Sequence, residues 1–148
     1  MTNFIDLFKK INKYDLENAM TFEIHSPGLI TYRMTVQEKH LSSPNTAHGA
    51  SIAGFMDCVL GLSALSEAIT RDNLTSTVEF KINFIRPVKL GEELLGTGKV
   101  IHKGKSLIIS SGEVRISGTN ELVAMGQGTF NTYPFAKKDF LNDFTSAG

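Results

Sequence analysis

An apolar stretch in the first half of the chain constrains the fold more than any other feature. It reads T-A-H-G-A-S-I-A-G-F-M-D-C-V-L-G-L-S-A-L from Thr46 to Leu65 and contains no proline. This composition favours a single helix, which we predict from about His48 to Ile69. Because apolar residues fall on most sides of that helix, we expect it to lie inside the protein.

The rest of the chain is mostly of β type. A helical period predicts a short N-terminal helix over about 3–12, and a polar loop is expected over Gln37–Ala47. Two segments with strand character form a hairpin before the central helix, and four more strands, with short hairpin turns, follow it. The predicted strands are Thr21–His25, Leu29–Val36, Val78–Phe84, Gly91–Lys103, Ser106–Ile116 and Leu122–Tyr133. The tail over 136–148 is polar enough to fray.

A long buried helix within an otherwise antiparallel protein predicts a sheet curled around that helix. The fold class is therefore α+β, and 148 residues are expected to form one domain, 1–148.

Composition excludes several classes of function. Fifteen basic and fifteen acidic residues cancel, so we expect neither nucleic acid nor a membrane as a partner. With one cysteine, Cys58, and four histidines that lack a paired spacing, we expect no metal and no cofactor. The N-terminus lacks the features of a signal peptide, and the apolar run is interrupted at Asp57, so a cytoplasmic location is expected.

Asp57 is the one carboxylate within the apolar stretch. An unpaired carboxylate is costly to bury, and burial raises the pKa of such a group, which makes it a candidate base or nucleophile. Small residues share its side of the helix, including Ala50 and Gly54, and leave room for a ligand. Close packing against another element explains the same small residues equally well.

The start of the helix offers a second functional group. His48-Gly49-Ala50 places free backbone N–H groups at the positive end of the helix dipole, where an oxyanion is stabilised. Nine residues separate His48 from Asp57, roughly 13 Å along one helix. One carbonyl cannot contact both ends, whereas an antiparallel second copy brings Gly49 of one subunit near Asp57 of the other.

The string H-G-A-S-I-A-G-F-M-D-C-V-L-G resembles the H-G-G…D…G helix of PaaI-like hotdog-fold thioesterases. The later segments F-K-I-N-F-I-R-P, K-L-G-E-E-L, H-K-G-K-S-L and A-M-G-Q-G-T-F are similar too, over roughly Ile24 to Tyr133. The resemblance implies a hotdog fold, acyl-CoA as substrate, and a homodimer or a dimer of dimers (homotetramer).

The resemblance also implies roles for single residues. Asp57 stands at the catalytic carboxylate, Gly49 at the oxyanion N–H, His48 near the leaving thiol, and Thr77 near the attacking water. Segments that meet coenzyme A correspond to Arg86 and to the loop Lys103, Gly104, Lys105, Ser106. The family's asparagine six residues before the histidine is replaced by Ser42, with Asn45 nearby, and the second glycine is Ala50.

We therefore expect hydrolysis of an acyl-CoA thioester at a dimer interface. A non-catalytic module that binds acyl-CoA or acyl chains is the alternative, which Ser42 favours. A dehydratase of the same fold is a weaker alternative, since neither His40 nor His102 is paired with an acid in the sequence pattern typical of that branch.

Overall fold

The computed structural model describes residues 2–135. The helices are α1 (Thr2–Ile11), α2 (Lys13–Glu17) and α3 (Gly49–Ala68), with single 3-10 turns at Glu38–His40 and Ile69–Arg71. The strands are β1 (Thr21–Ser26), β2 (Leu29–Thr35), β3 (Leu41–Ser43), β4 (Thr46–Ala47), β5 (Asn73–Phe84), β6 (Glu93–Lys103), β7 (Leu107–Ile116) and β8 (Leu122–Pro134). The frayed tail and the domain boundary at 148 lie outside the described residues and stay predictions.

Six strands form one antiparallel sheet in the order β1-β2-β6-β7-β8-β5, while β3 and β4 form a separate small hairpin. Alternation decides which face is buried: Ile30, Tyr32 and Met34 on β2 are at most 2% exposed, as their spacing predicts. The predicted curled sheet around one central helix, the hotdog arrangement, is confirmed.

Strand β5 differs from its prediction. It begins at Asn73 rather than Val78 and pairs on one side with β8, so it forms an edge of the sheet. A bulge between Thr77 and Glu79 interrupts the register with β8 and leaves Val78 58% exposed. The simple alternation expected from Val78 to Phe84 therefore fails at the bulge, because one extra residue shifts the side chains to the opposite face.

Helix α3 lies close against the inner face of the sheet because glycines stand beneath it. Gly98, Gly112 and Gly126 are register partners on three adjacent strands. A Cβ atom on Gly98 would lie 2.5 Å from the Val59 carbonyl oxygen, and one on Gly126 would lie 2.9 Å from the Met56 sulfur. Any larger residue in this row would push the helix away from the sheet.

Helix α1 joins the same core through aromatic rings. Phe8 contacts Phe22 with ring centroids 6.1 Å apart, Phe22 lies 5.3 Å from Tyr32, and Tyr32 lies 6.1 Å from Phe55 on α3. These spacings are typical of stabilising aromatic pairs. The N-terminal helix is therefore attached to the side of α3 through strands β1 and β2.

The helical segment Gly49–Arg71 is 23 residues long and apolar enough, by length and composition only, to cross a membrane. The predicted helix through Asp57 is confirmed, whereas the expectation that Asp57 leaves the apolar run too short to span a bilayer is wrong by this criterion, since one charged residue does not lower the mean hydropathy enough. Most of the segment is buried inside the fold, as in the core helix of a protein that does not cross a membrane.

Candidate active site

Asp57 lies on α3 where the helix passes the edge strand β5. Its Oδ1 accepts a hydrogen bond of 3.1 Å from the Thr77 hydroxyl, which β5 presents just before its bulge. The sequence predicts a buried carboxylate here, but Asp57 is only half-buried in the single chain. The carboxylate is thus oriented by one donor and reachable by a ligand or a water molecule.

A cleft of about 200 Å³ opens beside Asp57. Its walls come from α1, β2, α3, β5 and β8. The lining is mainly apolar, with the carboxylate and two threonines on one side: Phe8, Asn12, Tyr32, Asp57, Cys58, Gly61, Leu62, Leu65, Thr75, Thr77 and Phe130. Such a combination is typical of a site that holds an apolar group and places one reactive atom near polar side chains.

A second carboxylate, which the sequence analysis missed, contacts two residues of the cleft lining, Tyr32 and Cys58. Asp15 on α2 is 4% exposed and accepts a hydrogen bond of 2.5 Å from the Tyr32 hydroxyl. The Cys58 thiol also contacts it, at 3.9 Å. Burial raises the pKa of Asp15, although the bonds from Tyr32 and Cys58 oppose that shift.

A local signal marks the helix that carries Asp15. The Asn12 side chain caps α2 by accepting a hydrogen bond of 3.1 Å from the Asp15 N–H. An asparagine three residues before an acid is typical of a helix start, so Asn12-Lys13-Tyr14-Asp15 indicates a short second helix.

Cys58 follows Asp57 directly and raises the question of a thiol nucleophile. Burial, together with the nearby carboxylates of Asp15 and Asp57, raises the pKa of the Cys58 thiol. A thiol whose pKa is raised stays protonated at neutral pH and is a poor nucleophile. Of these two neighbours, Asp57 is therefore the candidate for chemistry at this cleft.

The first turn of α3 leaves one N–H group available. His48 is the N-cap, and its Nδ1 accepts a hydrogen bond of 2.9 Å from the Ala50 N–H. The N–H groups of Ser51 and Ile52 donate to the His48 carbonyl at 2.9 and 3.3 Å. Within residues 2–135, the Gly49 N–H has no acceptor, and Gly49 is exposed. Gly49 thus presents a free donor at the helix terminus.

The side of α3 that carries Gly54 is occupied. The Tyr14 hydroxyl lies where a Cβ atom on Gly54 would stand, so this glycine allows α2 to pack against α3. Burial raises the pKa of Tyr14, and the neighbouring Cys58, Asp15 and Asp57 add to the shift. Of the two explanations for the small residues, close packing holds at Gly54, whereas Gly61 lines the cleft.

Two of the basic residues expected to meet coenzyme A are held by carboxylates. The Arg86 guanidinium binds Glu92 at 3.1 Å and Glu121 at 3.0 Å, and these bonds raise its pKa. Lys103 binds Glu67 at the other end of α3, at 2.9 Å. Both cations clamp elements of the fold together in the single chain.

The loop after β6 lies on the same row of the sheet as the carboxylate site. Thr77, Phe130, Ile108 and Lys103 are successive register partners across β5, β8, β7 and β6. Three strand spacings separate Thr77 from Lys103, about 14 Å. Gly104 donates its N–H to the Leu107 carbonyl, and the Ser106 carbonyl accepts from Thr132. Exposed Lys105 has no carboxylate within ion-pair distance in the described chain.

Ser42 and Asn45 lie on the small β3–β4 hairpin, and both are exposed. Asn45 has a left-handed φ of 63°, which makes it the turn residue of that hairpin, and its carbonyl accepts from the Leu90 N–H at 3.1 Å. Neither side chain makes a hydrogen bond to another described residue, so both remain available to a ligand or a water molecule.

Comparisons with known proteins agree with this geometry. The family model for the thioesterase superfamily matches residues 44–123, which include both Gly49 and Asp57. The human acyl-coenzyme A thioesterase 13 (Homo sapiens) is 30% identical over 104 residues, 70% of this chain and 73% of that protein.

Solved structures share the fold. The PaaI protein from the phenylacetic acid degradation operon of E. coli has a TM-score of 0.80 at 19% identity, covering 87% of this chain and 90% of that one. A hypothetical thioesterase from Streptococcus pneumoniae, solved with coenzyme A, has a TM-score of 0.74 at 16% identity, covering 86% of this chain and 97% of that one.

Proposed function

Because this chain belongs to the thioesterase superfamily, we propose that it hydrolyses the thioester of an acyl-CoA to the free acid and coenzyme A. The observation that carries the proposal is the half-buried Asp57 carboxylate, which Thr77 orients at the wall of an apolar cleft. An acyl chain fits the apolar lining, and its thioester carbon then faces the carboxylate.

Two routes are consistent with one carboxylate. In the first, Asp57 takes a proton from water while the hydroxide attacks the carbonyl carbon, the C–S bond breaks and the thiolate leaves. In the second, Asp57 attacks the carbon itself, and water then hydrolyses the mixed anhydride. In both routes negative charge develops on the carbonyl oxygen, which the free Gly49 N–H stabilises.

The site is completed by a second copy in this proposal. Eight residues of helix separate Gly49 from Asp57, about 12 Å, so one thioester cannot contact both in one chain. Strand β5 offers a 12-residue edge, and Val78 and Phe84 on it and Ile85 directly after it are more than half exposed. Antiparallel pairing of two such edges places the two α3 helices side by side in opposite directions.

The remaining predicted residues are assigned to substrate binding. We assign exposed Lys105, with Gly104 and Ser106 beside it, to the coenzyme A phosphates, because its charge is not neutralised by a carboxylate of the described chain. The charges of Arg86 and Lys103 are partly neutralised by their carboxylate partners. The absence of a cofactor or metal and the cytoplasmic location stay predictions.

Ser42, which stands in place of the family's asparagine, favours the alternative, an acyl-CoA-binding module without turnover. A water molecule attacking the thioester needs an orienting group, and within residues 2–135 Thr77 is the only side chain that donates a hydrogen bond to the Asp57 carboxylate. Tight binding of acyl-CoA without release of thiol would support this alternative.

The test is release of free thiol from short, medium, long and aryl acyl-CoAs by the wild type and by Asp57→Asn. We expect the variant to lose turnover by about 10²–10⁴-fold. Asp72→Asn is the matched control, since Asp72 is exposed and its left-handed φ of 55° suits asparagine. Near wild-type turnover in Asp57→Asn would exclude Asp57 as base or nucleophile.

A further inference from the structure

His40 is a buried histidine in the loop that leads to α3, and the proposed chemistry does not use it. It is 4% exposed and ends the 3-10 turn Glu38–His40. Its Nδ1 accepts a hydrogen bond of 2.9 Å from the Gln37 N–H, and its Nε2 lies 2.7 Å from the Asn18 side-chain oxygen. Because a backbone N–H can only donate, the ring is neutral and its proton is on Nε2.

The ring connects the loop to helix α2. Asn18 accepts from His40 through its oxygen and donates through its nitrogen to the Tyr14 carbonyl at 2.9 Å. Burial, together with the neighbouring Lys39 ammonium, lowers the pKa of His40, so the neutral ring is retained at neutral pH. Both ring nitrogens therefore hydrogen-bond to fixed partners, one to Gln37 at the start of the turn and one to Asn18 at the C-cap of α2.

The backbone of the same residue holds the first turn of α3. The His40 carbonyl accepts hydrogen bonds from the His48 N–H at 2.7 Å and from the Ser51 hydroxyl at 3.2 Å. His48 in turn caps the helix with its side chain and its carbonyl, which leaves the Gly49 N–H as the free donor. The direction of that donor thus depends on where His40 is held.

We propose that His40 is a positioning residue: its ring, held by Gln37 and Asn18, fixes the carbonyl that anchors His48 and Ser51 and so aims the Gly49 N–H at the substrate. The role of the Gly49 N–H rests on the proposed function. The anchoring itself does not, since it is a property of the fold alone. An imidazole held on both nitrogens resists rotation, so the carbonyl beside it keeps one orientation.

Steady-state kinetics on the acyl-CoA that the wild type hydrolyses best gives the first measurement. For His40→Ala we expect kcat to fall about ten- to hundredfold with KM changed less than about threefold, because a misplaced oxyanion donor weakens the transition state more than the ground state. A fall in kcat no larger than that of the matched control His25→Ala would overturn the proposal. His25 is exposed, lies on β1 and contacts only Thr31.

Two conservative variants separate positioning from mere stability. The side-chain oxygen of His40→Asn reaches the place of Nδ1 and keeps the bond from Gln37, whereas His40→Gln keeps only the donor toward Asn18. We expect Asn to recover most of kcat and Gln less, since the Gln37 bond lies in the turn next to the anchoring carbonyl. If kcat falls among the three His40 variants only in step with their melting temperatures, the loss is one of stability, and the positioning role is contradicted.

Amide hydrogen exchange tests the anchoring without turnover. In His40→Ala we expect the His48 amide, which donates to the carbonyl of residue 40, to exchange at least about tenfold faster, with unchanged exchange in the sheet core. Unchanged exchange at this amide would overturn the proposal whatever the kinetics. Faster exchange in a protein whose wild type releases no thiol would instead refute the thioesterase function and leave the anchoring supported.

Discussion

Two aspartates, one lining the cleft and one bonded to residues of its wall, differ in burial, in their partners and in the helix that carries them. Asp57 is half-buried, accepts a bond from an exposed threonine and lines the cleft. Asp15 is 4% exposed, and its carboxyl is held by Tyr32 and Cys58. Burial raises the pKa of Asp15 and makes the proton hard to remove. A reactive carboxylate must reach its substrate, so the more buried of the two is the structural one.

The two aspartates also differ in what holds their backbones in place. Asp57 lies in the middle of a 20-residue helix packed on the sheet, so its backbone is held by the core. Asp15 lies on a five-residue helix that has little stability of its own, and its side chain ties that helix to β2 and α3. The fold therefore holds Asp57 in place, whereas the bonds of Asp15 help to hold the fold together.

The largest expected effect separates the two by activity. Asp57→Asn should lower kcat by about 10²–10⁴-fold, while Asp15→Asn, which keeps an acceptor for the Tyr32 hydroxyl, should stay within about threefold of wild type. Thiol release measured on both variants at equal folded concentration checks this. If Asp15→Asn lost as much activity as Asp57→Asn, the division into a reactive and a structural carboxylate would fail.

The second prediction compares the two aspartates by the free energy of unfolding, and here the larger effect is expected at the Asp15 site. Tyr32→Phe removes the donor to the buried Asp15 carboxyl and should lower the free energy of unfolding by about 1–3 kcal/mol. Urea denaturation checks this, with Asp57→Asn as the comparison, for which we expect a change below about 1 kcal/mol. Equal losses would show that Asp57 is as structural as Asp15.

A third prediction concerns Thr77. Thr77→Val removes the one side-chain donor to Asp57 found among residues 2–135 and should lower kcat by up to about tenfold at nearly unchanged stability, because the bond is exposed to solvent. Thr77→Ser keeps the hydroxyl and should recover the wild-type rate. A valine variant as active as the serine variant would show that Asp57 needs no orienting partner.

The pH dependence of stability gives a smaller effect with a definite sign. The pKa of Asp15 is raised in the folded protein, so the folded state binds this proton more tightly than the unfolded state. The resulting stability is complete below about pH 4 and is lost as pH rises through the raised pKa. Asp15→Asn lacks this loss.

We therefore expect the melting temperature of the wild type minus that of Asp15→Asn to fall as pH rises above about 4. His40, whose pKa is lowered, contributes the opposite slope, but it is present in both proteins and cancels in the difference. A difference that stays constant as pH rises would contradict a raised pKa for Asp15.

The smallest effects come from two glycines on α3. Gly61→Ala should stabilise the protein by about 0.5–1 kcal/mol, because the added Cβ meets Phe130 at an ordinary 3.5 Å. Gly54→Ala should stabilise the protein less, because the Tyr14 hydroxyl must move to make room for the added Cβ. Thermal unfolding of the two variants checks the order. Restoring the full gain by combining Gly54→Ala with Tyr14→Phe would assign the deficit to that hydroxyl.

Much of the site was accessible from the sequence because it lies on one helix. The segment from His48 to Asp57 has its order and spacing set by the helical rise, so the helix, the N-terminal donor and the carboxylate could all be placed. The resemblance to thioesterases, inferred from that same segment, is confirmed at the level of the family.

Asp15 and His40 could not be found in this way. Asp15 meets Tyr32 and Cys58, and His40 meets Asn18, across distances in sequence that no local pattern records. Their neighbours in the chain, Lys-Tyr-Asp-Leu-Glu and Gln-Glu-Lys-His, look like ordinary polar surface. Burial of these residues follows from how α2 and the loop are folded over α3.

The sequence by itself determined the central helix, the alternating strands and the place of Asp57, because helix and strand periods are local properties of the backbone. Only the tertiary structure decided that Asp57 is accessible while Asp15 is buried, and that Tyr14 fills the space at Gly54. Each of these depends on contacts between segments distant in sequence, and exposure and partnership are properties of such contacts rather than of residue type.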